Sequence, residues 1–162
     1  MGTRGISVVV GADVEEIIAA LNKALASEWL AYVQYYSSSA MVRGILANVA
    51  KGEFDGHADD ELEHAGLDTA RIIQLGGIPL TSPDQWLQQS PVTHIEETDV
   101  ATLLRQTIAG EQAAITTYQR LVDMTRGKDE VTYQMVSDIL ADEVEHEEDL
   151  QRLLEDLKLG NV

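Results

Sequence analysis

The chain has no cysteine, which excludes disulfides, thiolate zinc sites and iron–sulfur clusters and leaves any metal chemistry to histidine and carboxylate ligands. Proline is scarce: three occur in 162 residues, all between Pro79 and Pro91, so little interrupts long helices on either side of that window. Basic residues are few, with 11 Lys and Arg against 28 Asp and Glu and a formal net charge of −17. Phosphate contacts need clustered Lys and Arg, so this balance argues against nucleic acid as a partner and favours cations. The N-terminal arm, residues 1–12, carries only Arg4 and is not a basic tail. Long hydrophobic runs are missing too. Ile6 to Val10 is too brief for a secretory core or a membrane span, and acidic residues follow at once. The expectation is a cytoplasmic protein with no membrane partner.

What is present is helical periodicity over nearly the whole length. A chain of this size fits one domain and buries roughly 70% of the surface its unfolded form exposes. The first periodic segment starts at the N-cap candidate Asp13, with Glu16 in capping-box position, and runs to about Val42 before Gly44. The second runs from about Asn48 to Leu75 and stops at Gly76-Gly77. Residues 76–97 hold every proline and Trp86, are long for a connection, and leave room for a short helix around Asp84 to Gln89. The third segment runs from about Thr98 to Arg126, and the fourth from Asp129 to about Leu159. Two short links and one long crossover predict two antiparallel hairpins, with the second and third helices parallel. Too few residues follow His146 for a fifth helix. The reading is therefore a 1–12 arm, a 13–159 all-α four-helix bundle with a long crossover, and a 160–162 tail.

Two Glu-x-x-His motifs, Glu61 to His64 and Glu143 to His146, each put a carboxylate and an imidazole on one helix face. One such match by chance is plausible among fifteen Glu; two, using half of the four histidines, are less so. Helical position says more than the motif. The stripe Val136, Ile139, Glu143, His146, Leu150, Leu153, Leu157 places this Glu and His among inward apolar residues. The second segment repeats the pattern with Phe54, His57, Glu61, His64, Asp68 and Ile72. Glu28 interrupts the first stripe and Glu111 the third. Four carboxylates aimed at one core demand a neutralising cation, because burying them uncompensated is very costly. Glu28 precedes Glu61 by 33 residues and Glu111 precedes Glu143 by 32, with Tyr35 and Tyr118 each seven residues after the first Glu, so two similar hairpins meet about a pseudo-two-fold axis. Each of two metals then takes a terminal Glu, Glu28 or Glu111, one His, and a share of bridging Glu61 and Glu143. Oxygen and imidazole ligands suit iron or manganese, whereas structural zinc favours one closed tetrahedral site.

These residues match in type and spacing the ligand pattern of ferritin-like di-iron and di-manganese carboxylate proteins. Along Ser27 to Tyr32, Gly52 to His64 and Ile139 to Leu150 the chain resembles the ferritin superfamily, most closely the Dps-like miniferritins that hold a bacterioferritin-type di-iron site in each subunit. The resemblance implies two iron ions per subunit, oxidation of Fe(II) by H2O2 or O2, and ferric mineral stored inside a shell of twelve subunits. Bacterioferritin's axial Met directly follows the second-helix Glu, and here that position is Leu62, so no haem is expected. Ala113 stands where many Dps-like proteins carry a cysteine. The competing readings are a rubrerythrin-like peroxidase or di-manganese catalase without iron storage, and a bundle with a merely structural metal. His57 and Asp68 are read as either extra ligands or hydrogen-bonding groups, Tyr32, Tyr35 and Tyr118 as core or redox residues, His94 as a surface residue, and Trp29 and Trp86 as packing residues.

Overall fold

The side chain of Asp13 accepts hydrogen bonds from the backbone N–H of Glu15 at 2.9 Å and Glu16 at 3.3 Å, and so starts the first helix of the chain. The structure, a computed structural model, describes residues 4–160; the ends of the expected arm and tail, residues 1–3 and 161–162, lie outside these. Helix α1 spans Val14–Met41, α2 Ala47–Gln74, α3 Pro83–Gln89, α4 Val100–Thr125 and α5 Glu130–Leu159, and a 3-10 helix covers Arg4–Val8. Asp99 caps α4 by accepting from Thr102 N at 2.9 Å, and Asp129 caps α5 by accepting from Thr132 N at 3.1 Å. The third long helix thus begins two residues later than the periodicity indicates, where a side-chain acceptor is in place.

The core is in two halves. One holds Ile17, Leu21 and Leu25 of α1 with Ile72, Tyr118 and Ile139. The other holds Tyr35 with Phe54, Leu104, Ile108, Leu150 and Leu153. Fully burying each such side chain contributes about 1.5–3 kcal/mol. On every long helix the inward Glu or Glu-x-x-His falls between its residues in one half and its residues in the other. The order of the halves along each helix makes α2 and α4 parallel, α1 and α2 antiparallel, and α4 and α5 antiparallel, as the short and long links require.

Among the described residues there are five α-helices, so the expectation of no fifth helix is corrected. The additional one, α3, lies within the crossover, where the sequence left room for it. Gln85 Oε1 accepts from Thr81 N at 3.1 Å and Ser82 N at 3.3 Å to start it, Pro83 is its first residue, and Trp86 stacks on Trp29 of α1 with ring centroids 5.1 Å apart. Asn22 holds the backbone of Ile78 and Leu80, and Gln34 accepts from Ile95 N at 2.8 Å. Gly77 lies so close to α1 that a Cβ there would come within 2.7 Å of Ile18 Cγ2.

At the other end Arg71 of α2, 2% exposed, donates twice to Asp129 at 2.8 Å and once to Thr132 Oγ1 at 2.7 Å. This buried pair ties the end of α2 to the α4–α5 turn. The N-terminal arm docks on the same turn, with Val10 N donating to Lys128 O at 2.7 Å and Val9 and Ala12 against the core. Among the described residues no helix is long and apolar enough to cross a membrane.

Candidate metal centre

The six residues singled out by the sequence come together at the junction of the two core halves, none more than 5% exposed. They form two overlapping groups. Glu28, Glu61, His64 and Glu143 offer ligand atoms all within 4.8 Å of one another, and so do Glu61, Glu111, Glu143 and His146. Glu61 and Glu143 are common to both groups, while Glu28 and Glu111 belong to one each. Nδ1 of His64 faces Glu143 at 3.1 Å, Glu28 at 3.6 Å and Glu61 at 3.7 Å. Nδ1 of His146 lies 3.7 Å from both Glu61 and Glu143.

Each imidazole is oriented from behind by the other hairpin. His64 Nε2 lies 3.3 Å from Asp142, and His146 Nε2 lies 3.3 Å from Asp60. These aspartates are more than half exposed and act as acceptors, so the imidazoles donate from Nε2 and turn Nδ1 to the centre. The terminal carboxylates are held crosswise too. Tyr35 of α1 donates to Glu111 of α4, and Tyr118 of α4 lies 2.9 Å from Glu28 of α1. Tyr118 Oη also lies 3.0 Å from Asp68 Oδ2. The Tyr118 hydroxyl is the donor shared by the two carboxylates, and burial raises the Asp68 carboxyl above its ordinary range.

The centre is electrostatically strained without a cation. Burial first, and then the charge of neighbouring carboxylates, raises Glu61 and Glu111. Burial would raise Glu143 as well, but the adjacent His146 and His64 outweigh it and draw it down. Burial opposes protonation of the imidazoles, yet the carboxylates around them raise His64 and bring His146 up to about 9. Protons thus take the place of a positive ion. Glu28 Oε2, Glu61 Oε1, both oxygens of Glu143 and the Nδ1 atoms of His64 and His146 are buried without a hydrogen bond. Buried donor and acceptor atoms left this way are costly. Four carboxylates and two neutral imidazoles balance two divalent cations in charge and direct these atoms at them, so the residues fit a metal pair.

Comparison with known proteins shows the family. The ferritin-like domain family matches residues 18–160. The chain belongs to the ferritin-like family. It is 39% identical to a dodecameric thioferritin, a bacterioferritin-related protein of Bacteroides fragilis, whose structure superposes with a TM-score of 0.90 over 93% of this chain and 90% of that one. A ferritin-like di-iron-carboxylate protein of Bacillus anthracis is 31% identical, with a TM-score of 0.77 over 87% and 96% of the two chains. A DNA protection during starvation protein of Pyrococcus furiosus is 27% identical over 89% of this chain and 80% of its own length.

Within this ferritin-like bundle the residues left open by the sequence find definite places. Tyr35 and Tyr118 hold carboxylates, whereas half-buried Tyr32 meets Trp29 edge-on and stacks on Tyr36. His57 is 5% exposed, lies face to face with His146 at 4.1 Å between ring centroids, and is drawn down to about 3 by burial and by His146. It adjoins an acidic cleft of about 340 Å³ between α2 and α5, lined also by Glu53, Asp60, Asp142, Glu145 and Asp149. His94 is half-buried in the crossover and joins no ligand group among the described residues. The sequence reading missed Asp60 and Asp142, although the repeated string Asp-Glu-x-Glu-His, at 60–64 and 142–146, contains them. It also missed Arg71, which lies seven residues after His64 and so on the same inward face.

Proposed function

We propose that this protein is a cytoplasmic ferroxidase and iron-storage protein, binding two Fe(II) ions per chain and oxidising them with O2 or H2O2. One observation carries the reading: two overlapping buried ligand groups that share Glu61 and Glu143. In this assignment Glu61 and Glu143 would be shared by the two ions, Glu28 and His64 would complete one ligand set, and Glu111 and His146 the other. The pair supplies two electrons to one oxidant. The protein's own contribution is to orient the ligands through Asp142, Asp60, Tyr35 and Tyr118, to exclude water with the two core halves, and to accept on its carboxylates and imidazoles the protons that exchange with cations. The acidic cleft over His57 and His146 is an electrostatically favoured route for Fe(II).

A twelve-subunit shell is proposed from the likeness to the Bacteroides fragilis protein, whose assembly is dodecameric. Thiol chemistry does not extend to this chain, which has no cysteine. DNA protection is not part of the proposal despite the Pyrococcus furiosus relative's name, because the net charge of −17 opposes phosphate binding. Anaerobic Fe(II) titration together with sedimentation tests both elements. The expected result is two Fe(II) per chain on a dodecamer and loss of aerobic oxidation in Glu61→Ala. An unchanged oxidation rate in Glu61→Ala would sink the site, and a sedimenting monomer or dimer would sink the shell. Sustained O2 release from H2O2 by a manganese-loaded protein would replace the ferroxidase by a catalase.

A further inference from the structure

A cavity of about 30 Å³ lies between α1 and α4 beneath the crossover. A water takes roughly 10–15 Å³ on the same measure, so the space suits a guest of one or two heavy atoms. It touches Glu28, Glu61 and Glu111, and its apolar wall comes from Ala31, Val92 and Ala114. The acidic cleft lies elsewhere, between α2 and α5. The two openings therefore reach the centre between different helix pairs.

The neutral polar side chains that border the cavity are already engaged. Gln34 Oε1 and Nε2 bond the backbone of Ile95 at 2.8 and 3.3 Å, and Gln106 Nε2 donates to Thr93 O at 2.6 Å. Thr107 Oγ1 donates back to its own helix at 3.1 Å, and Ser27 pairs with Ser90 at 3.2 Å. With Glu28, Glu61 and Glu111 turned to the cations of the proposed pair, a polar guest entering from water would exchange its hydration for few new bonds, whereas an apolar one gives up nothing. On the surface a depression of about 230 Å³ shares Val92, Gln106 and Gly110 with the cavity. These three residues form a neck between solvent and the carboxylates.

We propose that this cavity is a dioxygen site, reached through the Val92–Gln106–Gly110 neck and separate from the cation route. The inference rests on the ferroxidase reading and specifies its oxidant. Two Fe(II) each lose one electron, and O2 takes both electrons together with two protons from solvent and leaves as H2O2. No other oxidant or reductant enters. Hydrogen peroxide supplied from outside, being fully hydrated, gains nothing from this passage.

Filling the neck tests the proposal. A Cβ at Gly110 meets nothing within 4 Å, so Gly110→Leu is compatible with the helix, and Ala114→Leu fills the cavity from inside. Both variants are expected to slow oxidation by O2 about tenfold, a barrier increase of roughly 1.4 kcal/mol, while oxidation by H2O2 and anaerobic Fe(II) stoichiometry stay at parent values. An unchanged O2 rate in both, or equal slowing with both oxidants, overturns the passage. Crystals of the parent under xenon pressure supply a readout independent of the variants: a xenon atom in the cavity is expected, and an empty cavity overturns the proposal. A parent that binds no Fe(II) pair overturns the metal reading itself, whereas normal binding with an unaltered O2 rate overturns the dioxygen site alone.

Discussion

Cation binding at the centre is expected to expel protons, and the structure sets their minimum number. In the metal-free protein the carboxylates hold a proton on each of His64 and His146, the latter with a pKa of about 9. A metal ion needs the Nδ1 lone pair on each ring, since Nε2 is turned to Asp142 or Asp60. Two protons must therefore leave per metal pair at pH 7, and the raised Glu61 and Glu111 add to the count. Each proton released makes binding more favourable by about 1.36 kcal/mol per pH unit, so two give about 2.7 kcal/mol, or roughly tenfold in affinity per metal. Anaerobic calorimetric titration with Mn(II) or Fe(II), in two buffers of different ionisation enthalpy at pH 6, 7 and 8, measures both proton count and slope. Release of clearly fewer than two protons per pair at pH 7, or an affinity flat across this range, would refute the electrostatic description of the site.

The same groups fix the sign of the pH dependence of stability without metal. His146 is raised from 6.5 to about 9 on folding, so its stabilising contribution is complete below pH 6.5 and is lost as pH rises through 9, about 3 kcal/mol in all. The raised Glu61 and Glu111 act in the same direction, because the folded state keeps protons there that the unfolded chain has released. Metal-free protein should thus melt at lower temperature at pH 9 than at pH 6.5, and bound metal should remove most of that dependence.

Three further perturbations separate orientation, packing and ligation. Asp60→Ala or Asp142→Ala should lower metal affinity about 10- to 100-fold, read by anaerobic Mn(II) titration, with stability in chemical denaturation changed by less than about 0.5 kcal/mol because both side chains are mostly exposed. Arg71→Ala leaves the Asp129 carboxylate, 0% exposed, without its partner and should cost roughly 3–5 kcal/mol in urea unfolding. Tyr118→Phe removes the bridge between Asp68 and Glu28; a loss of about 1–3 kcal/mol is expected, with a titration that still reaches two metals but with the two sites filling at clearly different affinities.

Much of this was legible because the signals are local. Periodicity, the caps Asp13 and Asp129, and the glycines after α1 and α2 act within a turn or two of the chain, and the long helices end within about two residues of where those signals lie. The inward carboxylates were legible for a related reason: an interruption of an apolar stripe is visible in a single helix. Asp60 and Asp142 were not, since each is a mostly exposed charge on its own helix and gains its role only from an imidazole on another. Tyr35 and Tyr118 stayed ambiguous because buried aromatics at helical spacing look alike whether or not the hydroxyl has a partner. Arg71 is the instructive case. It sits on the inward heptad position after His57 and His64, but its partner Asp129 lies 58 residues away beyond the crossover, and an Arg on an inward face reads as an error until that partner is placed.

The contacts that orient the centre run between the two hairpins. His64 leans on Asp142 and His146 on Asp60, while Tyr35 reaches Glu111 and Tyr118 reaches Glu28. Each ligand group takes three residues from one hairpin and one bridging carboxylate from the other. A single hairpin therefore holds neither a complete metal set nor the groups that aim its own imidazole. The near-equal spacings of 33 and 32 residues follow from that reciprocity: two similar halves give two candidate ligand sets matched in kind, as the proposed oxidation of two like ions would require. The same reciprocity makes docking of the hairpins and completion of the site one event, so the four buried carboxylates gain their compensating charge only in the assembled bundle.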